Sequence, residues 1–419
     1  MVEPEDPRRR RQLRRAMVAS TVGTSLEWYD FFLYGTVAAL VFPTLFFPDS
    51  SNYVGVLQAF ATFAIGFAAR PVGAASVAIG LLPTAASIGV WAGVLLVVFR
   101  IVQGIGVGGE WGGSVLLAME WSRSKRRGFV GSMPQLGVPI GLLLSTGVVA
   151  LTMSLTGDAF DTWGWRIPFL ISFVLVLIGL VIRLKVDESP EFLAIVAAGK
   201  VERRPVSEVV RRHPREIVLT ALMRLAEQTP FYLFTAFVLA YGTEELGMSR
   251  RLLLAGTLVA AAIALFTVPF FGWLSDVVGR KRLYVTGAAL TFLMAVPYFW
   301  LLGMRVPAIA FATVAVSLIP HDMMYGPQAA LIAGAFAPEI RYSGSSLGYQ
   351  FASVLAGGPA PLIAAWLLHT FDSGYAIAGY IMVSAAITIA ATLMLKERPT
   401  SAEVVEAELA PVPARARAA

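Results

Sequence analysis

Cysteine is absent from this sequence, histidine occurs three times, and only 14% of the 419 residues carry a charged side chain. Without a thiol the chain can form neither a disulfide nor a thiolate metal site. The histidines, at positions 213, 321 and 369, are too dispersed for ligand spacing, so no metal is expected. Segments of about ten residues that alternate polar and apolar are also missing, which argues against a spanning β-barrel. What the chain has in excess is apolar surface: 57% hydrophobic residues and a mean hydropathy of +0.71, more than a soluble core requires.

Long apolar runs follow one another almost end to end, each near the roughly 20 residues that a spanning helix needs. They fall at 17–46, 53–70, 90–120, 127–153, 166–186, 216–241, 252–274, 283–303, 307–336, 341–369 and 374–395. The class that follows is an all-α polytopic membrane protein, because helices satisfy their own backbone in lipid. The basic RRRRQLRR at 8–15 before the first run has the look of a secretory signal. That run, however, is about 30 residues long and holds Glu27 and Asp30, so a retained first helix is expected.

The net charge of +6 sits in short junctions: RRRRQLRR (8–15), RSKRR (123–127), KVERRPVSEVVRRHPR (200–215), GRKR (279–282) and KER (396–398). Basic junctions between apolar runs mark cytoplasmic loops, so the charge points to a cell-membrane protein with both termini inside, and not to nucleic acid. The expected organisation is a basic N-terminus (1–16), a first transmembrane half (17–186), a central cytoplasmic loop (187–215), a second half (216–396) and a disordered tail (397–419).

One stretch breaks the parity of crossings. RSKRR follows the 90–120 run, so something must cross outward between residues 71 and 89, where only PVGAASVAIGLLP is apolar. A helix over 71–82 spans about 18 Å, short of the roughly 30 Å hydrocarbon core. In the second half the counterpart, FFGWLSDVVGRKRLYVTGAALTFLMAVPYFWLLG (270–303), holds a helix end, a basic turn and a full returning helix. If Gly272 corresponds to Gly73 and Gly303 to Gly80, the first half is short by about two dozen residues, an internal deletion.

The motifs EWYDFFLYG (27–35), GFAARPVG (66–73), FRIVQGIGVGGEWGGSVLLAME (99–120), DESPEF (187–192), MMYGPQAA (323–330) and RYSGSSLGYQ (341–350) resemble the metabolite:proton symporter branch of the major facilitator superfamily. The resemblance runs from about residue 16 to 397. It implies two six-helix halves around a central site, alternating access, and no cofactor beyond the proton gradient. It further implies a monomer that takes a small polar substrate such as a dicarboxylate, a tricarboxylate, a shikimate-like acid or a betaine or proline osmolyte.

The departures from the family pattern are specific. The G-x-x-x-D-R-x-G-R-[RK] turn between helices 2 and 3 is absent, together with most of the third helix. In the second half it persists as GWLSDVVGRK, with Val277 where the family carries Arg; Gly272, Asp276, Gly279, Arg280 and Lys281 are its expected gating residues. A carboxylate common near the end of the tenth helix is replaced around Gly334.

Glu27, Asp30 and Tyr34 are spaced i, i+3, i+7, so one face of the first helix carries all three. Ionisable groups at the bilayer centre cost roughly 2.5–3.5 kcal/mol and tend to pair or face a cavity. Arg100, Gln103 and Glu110 recur near helical spacing on the 90–120 run, and Arg100 offers the first-helix acids a permanent cation. The expected use of the set is proton coupling; the bland reading is a static ion pair that fixes helix register. Arg70 reads as an interfacial anchor. From the second half, Glu227, Gln228 and Tyr232 share a face and are expected to line the cavity, as are His321, Asp322, Tyr325 and Gln328, with Gln350 a weaker candidate.

Two enzyme motifs are excluded by context. GIGVGG (104–109) matches the dinucleotide fingerprint but lacks a preceding strand. Its Gly104/Gly108 and Gly109/Gly113 pairs suit close helix packing instead. GSSLG (344–348) matches a nucleophile elbow but opens an apolar helix. No catalytic residue is therefore assigned, and no enzyme is expected. GVPIG (137–141) partly matches a motif of drug–proton antiporters, although helix packing around a proline explains it better. The leading expectation is a proton-coupled importer. The alternatives are a transport-impaired remnant of one, because of the deletion, and an antiporter that exports a drug-like compound.

Overall fold

The computed structural model describes residues 7–48, 58, 74–105, 110–120, 126–183, 205–337 and 340–396; among these there is no strand. In the first half the helices are α1 (Pro7–Leu40), α2 (Ala74–Leu81), α3 (Val90–Ile105), α4 (Glu110–Glu120), α5 (Arg127–Gln135), α6 (Gly137–Thr156) and α7 (Arg166–Arg183). Helices α8 (Pro205–Arg212), α9 (Pro214–Leu222) and α10 (Leu225–Tyr232) lead into the second half. There follow α11 (Arg250–Val278), α12 (Arg280–Gly303), α13 (Pro307–Val316), α14 (Ile319–Ala333), α15 (Arg341–Ala352), α16 (Pro359–Phe371) and α17 (Gly374–Met394).

The punctuation of these helices is local chemistry. Pro214, Pro307 and Pro359 stand at helix starts, where the missing N–H costs nothing. Ser373 accepts from the Tyr375 amide at 3.2 Å and caps α17. Gly279 divides α11 from α12 at φ 100°, ψ 127°, a backbone state that a side chain would oppose. With 29 residues α11 is about 44 Å long, enough to cross a bilayer. Six such candidate spans occur among the described residues, from Arg127–Phe160 to Gly374–Met394. Large side chains including Phe173, Phe266, Leu293, Trp300 and Val383 face outward from the bundle, as a lipid-facing surface requires.

Several expected spans are interrupted where they approach the centre. The 90–120 run divides into α3 and α4, with 106–109 outside the described residues. The 216–241 run starts at Pro214, breaks at Met223–Arg224, and continues from α10 through π turns at Leu233–Phe237 and Tyr241–Glu245. The 307–336 run breaks at Ser317–Leu318, and α15 passes into a π turn at Ser353–Gly357. Apart from Gln58, the 53–70 run lies outside the described residues, as do Arg70 and the 397–419 tail.

The short segment that broke the crossing parity has a definite place. Helix α2, eight residues and about 12 Å long, packs on α7, the last helix of the first half. In the second half the corresponding position against α17 belongs to α12, which has 24 residues. The α2 end is capped from α7: Arg166 Nη1 donates to Gly80 O at 2.9 Å and to Leu82 O at 2.6 Å. A guanidinium on C-terminal carbonyls satisfies orphan acceptors and opposes the helix dipole.

The halves meet along several helix contacts. Helices α5 and α6 pack on α11, α5 also on α14, α4 on α15, and α1 on the Leu233–Phe237 turn. Helix α6 lies along α1 because Gly137 and Gly141 present no side chain there; a Cβ would meet Thr24 at 2.5 Å and Trp28 at 2.7 Å respectively. In this structure GVPIG is a packing element.

Candidate functional site

Three broken helices of the second half converge on one buried ionic cluster. Arg224, at the α9–α10 break, is fully buried and pairs with Glu227 Oε2 at 3.0 Å. Its Nη1 donates to Tyr349 O at 2.6 Å, and its guanidinium lies 3.4 Å from the Tyr349 ring centroid. Glu227 Oε1 accepts from Gln228 Nε2 at 2.9 Å, and Oε2 accepts from Gln328 Nε2 at 2.9 Å. His321 joins the two acids of the cluster: Nε2 stands 3.5 Å from Glu227 Oε1, and Nδ1 2.9 Å from Asp322 Oδ1. The imidazole is held between Phe231, at 4.7 Å, and the stacked ring of Tyr325, at 5.0 Å. Asp322 Oδ2 lies 2.5 Å from the Thr267 hydroxyl of α11.

A polar and aromatic chain carries the cluster across to the first half. Trp111 of α4 stacks on Tyr349 at 3.9 Å and donates its indole N–H to Gln135 Oε1 at 2.9 Å. Gln135 Nε2 in turn donates to Tyr325 O at 3.0 Å. On the other side of the cluster along α1 and α10, Phe31 meets Tyr232 at 5.9 Å and Phe32 meets Phe231 at 5.7 Å. The cluster thus sits between two layers of contact that join the halves.

Of the first-helix candidates, Asp30 and Tyr34 meet partners within the first half. Asp30 is buried and accepts from the Ser172 hydroxyl of α7 at 2.5 Å. Tyr34 is buried with its ring edge-on to Phe42 at 5.3 Å. Glu27 lies one turn before Asp30 on α1, within the part of that helix that packs on α6. The backbones of Arg100, Gln103 and Glu110 are helical, but their side chains lie outside the described residues, so the expected pairing of Arg100 with Glu27 or Asp30 does too. The structure therefore brings together Glu227, Tyr325 and Gln328, sets Tyr232 beside them against Phe31, and gives Asp30 a serine partner.

The GWLSDVVGRK turn sits at the interface of the halves. Gly272 of α11 faces Ser132 of α5. Asp276 Oδ1 accepts from Gly128 N and Oδ2 from Phe129 N, both at 2.9 Å, and Arg280, the first residue of α12, holds the carboxylate at 3.1 Å. The first amides of α5 are thereby satisfied by an acid of the other half. Lys281 Nζ donates to Leu393 O at 2.7 Å and Leu395 O at 2.9 Å, closing the end of α17.

Sequence reasoning passed over Arg224, although its signal was present: an Arg three residues before Glu227 inside an apolar run reads as an i, i+3 pair. Trp111, Gln135 and Thr267 had no comparable signal, since each acquires its role from a partner far along the chain. GSSLG lies within α15, and among the described residues no strand precedes it.

The comparisons with known proteins agree with one another. The family model for the Major Facilitator Superfamily matches residues 50–360. The chain is 40% identical over 415 residues to a shikimate transporter of Escherichia coli (strain K12), covering 92% of this chain and 94% of that one. A glycine betaine/proline/ectoine/pipecolic acid transporter of Dickeya dadantii is 31% identical over 424 residues, covering 92% of this chain and 84% of its own. In fold, the chain matches a proton:xylose symporter solved with 6-bromo-6-deoxy-D-glucose at a TM-score of 0.69 and 19% identity, over 95% of this chain and 99% of that one.

Proposed function

The chain belongs to the Major Facilitator Superfamily, and from that premise we propose that it is a proton-coupled symporter importing a small polar metabolite, a carboxylate or a zwitterion, by alternating access. It is a multi-pass membrane transporter and not an enzyme. The observation that carries the proton-coupled reading is the Arg224–Glu227–His321–Asp322 cluster, buried where α9/α10, α13/α14 and α15 are broken. Titratable groups at helix breaks in a spanning bundle are costly, and their use is in ion and substrate pathways.

In this reading Glu227, Tyr232, Tyr325 and Gln328 form the second-half wall of the substrate cavity. Glu27, Asp30, Tyr34, Arg100, Gln103 and Glu110 form the first-half wall, and the first-helix acids take part in coupling. Asp276 with Gly272, Gly279, Arg280 and Lys281 forms the gate on the cytoplasmic side. The names of the relatives support shikimate and the betaine–proline class as the first substrates to try.

The test is uptake by the purified protein in liposomes, with labelled shikimate, proline and glycine betaine, under an inward proton gradient. Accumulation above equilibrium that collapses with the gradient is the expected result, and Asp30→Asn should lower it while exchange without a gradient persists. Movement outward against the same gradient would replace import by export.

A second reading, a transport-impaired remnant, draws on the eight-residue α2 standing where the second half has the 24-residue α12. The Arg166 cap and the contacts formed between the halves support a working fold. Failure of all three compounds to exchange in a correctly inserted protein would favour the remnant.

A further inference from the structure

We propose that His321 is a proton-carrying residue of the transport cycle, placed between Glu227 and Asp322 in the second half and additional to the acids of the first helix. The inference rests on the proton-coupled reading above. Its basis is that one imidazole has each of its nitrogens directed at a different carboxylate. Nδ1 lies 2.9 Å from Asp322 Oδ1 and Nε2 lies 3.5 Å from Glu227 Oε1. A neutral imidazole has one N–H and one lone pair. In either tautomer, then, one nitrogen would direct a lone pair at a carboxylate oxygen. Both contacts are attractive only when an extra proton resides on the ring or on a facing carboxylate.

The charge count leads to the same place. Glu227 and Asp322 bring two negative charges, and Arg224 returns one positive charge. One further proton makes the cluster neutral. Without it a net charge stays buried in a spanning bundle, at roughly 2.5–3.5 kcal/mol on insertion scales. The other titratable neighbours, Tyr284 from α12, Tyr349 from α15 and Tyr325 on the same helix as His321, bring no charge while they remain phenols.

Thr267 favours Asp322 as a second resting place for the proton. Its hydroxyl lies 3.1 Å from Ile263 O and 2.5 Å from Asp322 Oδ2, yet it has a single hydrogen to donate. It serves both oxygens when Asp322 is protonated and donates to it. A proton given up by His321 Nδ1, which keeps the electron pair, is received on Asp322 Oδ1, which then donates back to Nδ1. With the proton on Oδ2 instead, Asp322 donates to Thr267 while His321 keeps its Nδ1–H on Oδ1. Glu227 is furnished differently, with Arg224, Gln228 and Gln328 donating to its oxygens, as an anion requires. The mobile proton belongs to the His321–Asp322 pair, and release follows when opening of the cavity brings water or a countercharge to the cluster.

The test compares wild type with His321→Gln in liposomes, using labelled shikimate, with the membrane potential clamped. Each coupled proton sustains about a tenfold accumulation ratio per pH unit. The expected result is a ratio lower by about tenfold at a gradient of about one unit. An unchanged ratio in His321→Gln overturns the proposal and leaves proton coupling standing. A wild-type ratio that ignores the gradient removes the coupled reading and the proposal with it.

Where His321→Gln loses exchange as well, or shikimate is not carried, a second measurement decides. The double variant His213→Gln/His369→Gln leaves His321 as the only histidine, and its ¹⁵N imidazole resonances report its charge state. A change of charge state between about pH 5.5 and 9.5 supports the proposal, and a single state throughout overturns it.

Discussion

Asp276 of the second half accepts from the Gly128 and Phe129 amides of the first, so one carboxylate closes the N-terminus of α5 across the domain boundary. The acid gains from two charge-assisted hydrogen bonds and from the positive end of a helix. Only a state in which α5 and α11 touch can supply them. In the proposed alternating-access cycle, the contact stabilises the closed form of that end of the bundle and is lost when it opens.

Asp276→Ala is expected to weaken that closed state by about 1–2 kcal/mol, a shift of roughly fivefold to thirtyfold towards opening. Ser132→Cys places a single thiol in the same contact, because the chain has no cysteine of its own. Maleimide should label it faster in the Asp276→Ala background, and equal rates would mean that the carboxylate does not hold the gate.

Trp111 stacks on Tyr349 and donates to Gln135, so its two functions separate by substitution. Trp111→Phe keeps the stacking and leaves Gln135 Oε1 without its donor, at about 1–3 kcal/mol. Trp111→Ala removes both and should cost about 3–5 kcal/mol. Thermal unfolding of the purified protein in detergent should rank wild type above Phe and Phe above Ala.

Arg166→Ala leaves the Gly80 and Leu82 carbonyls without their guanidinium. Arg166 is partly exposed, so water takes over some of that role and the expected loss is about 1 kcal/mol. Local opening of α2 should appear as faster hydrogen exchange over residues 74–88, with little change in α11 to α17.

Orientation is tested at Ser124, within the basic RSKRR junction. An impermeant maleimide applied to intact cells should leave Ser124→Cys unlabelled until the cells are opened. Labelling from outside would invert the assignment of every loop after α4.

Much of the bundle was legible because its determinants are local. The α11–α12 break is written in Gly279 and the basic residues after it, and the start of α9 in Pro214. The polar candidates Glu227, Gln328 and His321 declared themselves as isolated ionisable or amide groups inside apolar runs. The π turns at Leu233–Phe237 and Tyr241–Glu245 were not legible, since neither contains a proline. Arg224 was legible as an i, i+3 partner of Glu227 but was passed over, and the side chain of the favoured Arg100 lies outside the described residues.

The sequence by itself determined the class of molecule, because hydropathy and helix length add up residue by residue without knowledge of neighbours. It also determined which groups must find partners, since a charge in a spanning run carries its cost wherever the helix sits. The partners themselves were decided by tertiary structure. Glu227 meets Gln328, Arg224 meets Tyr349, and Asp30 meets Ser172 only once the helices have set their rotations and depths against one another. A rotation of one helix by a single residue, about 100°, would exchange those pairs while leaving hydropathy unchanged.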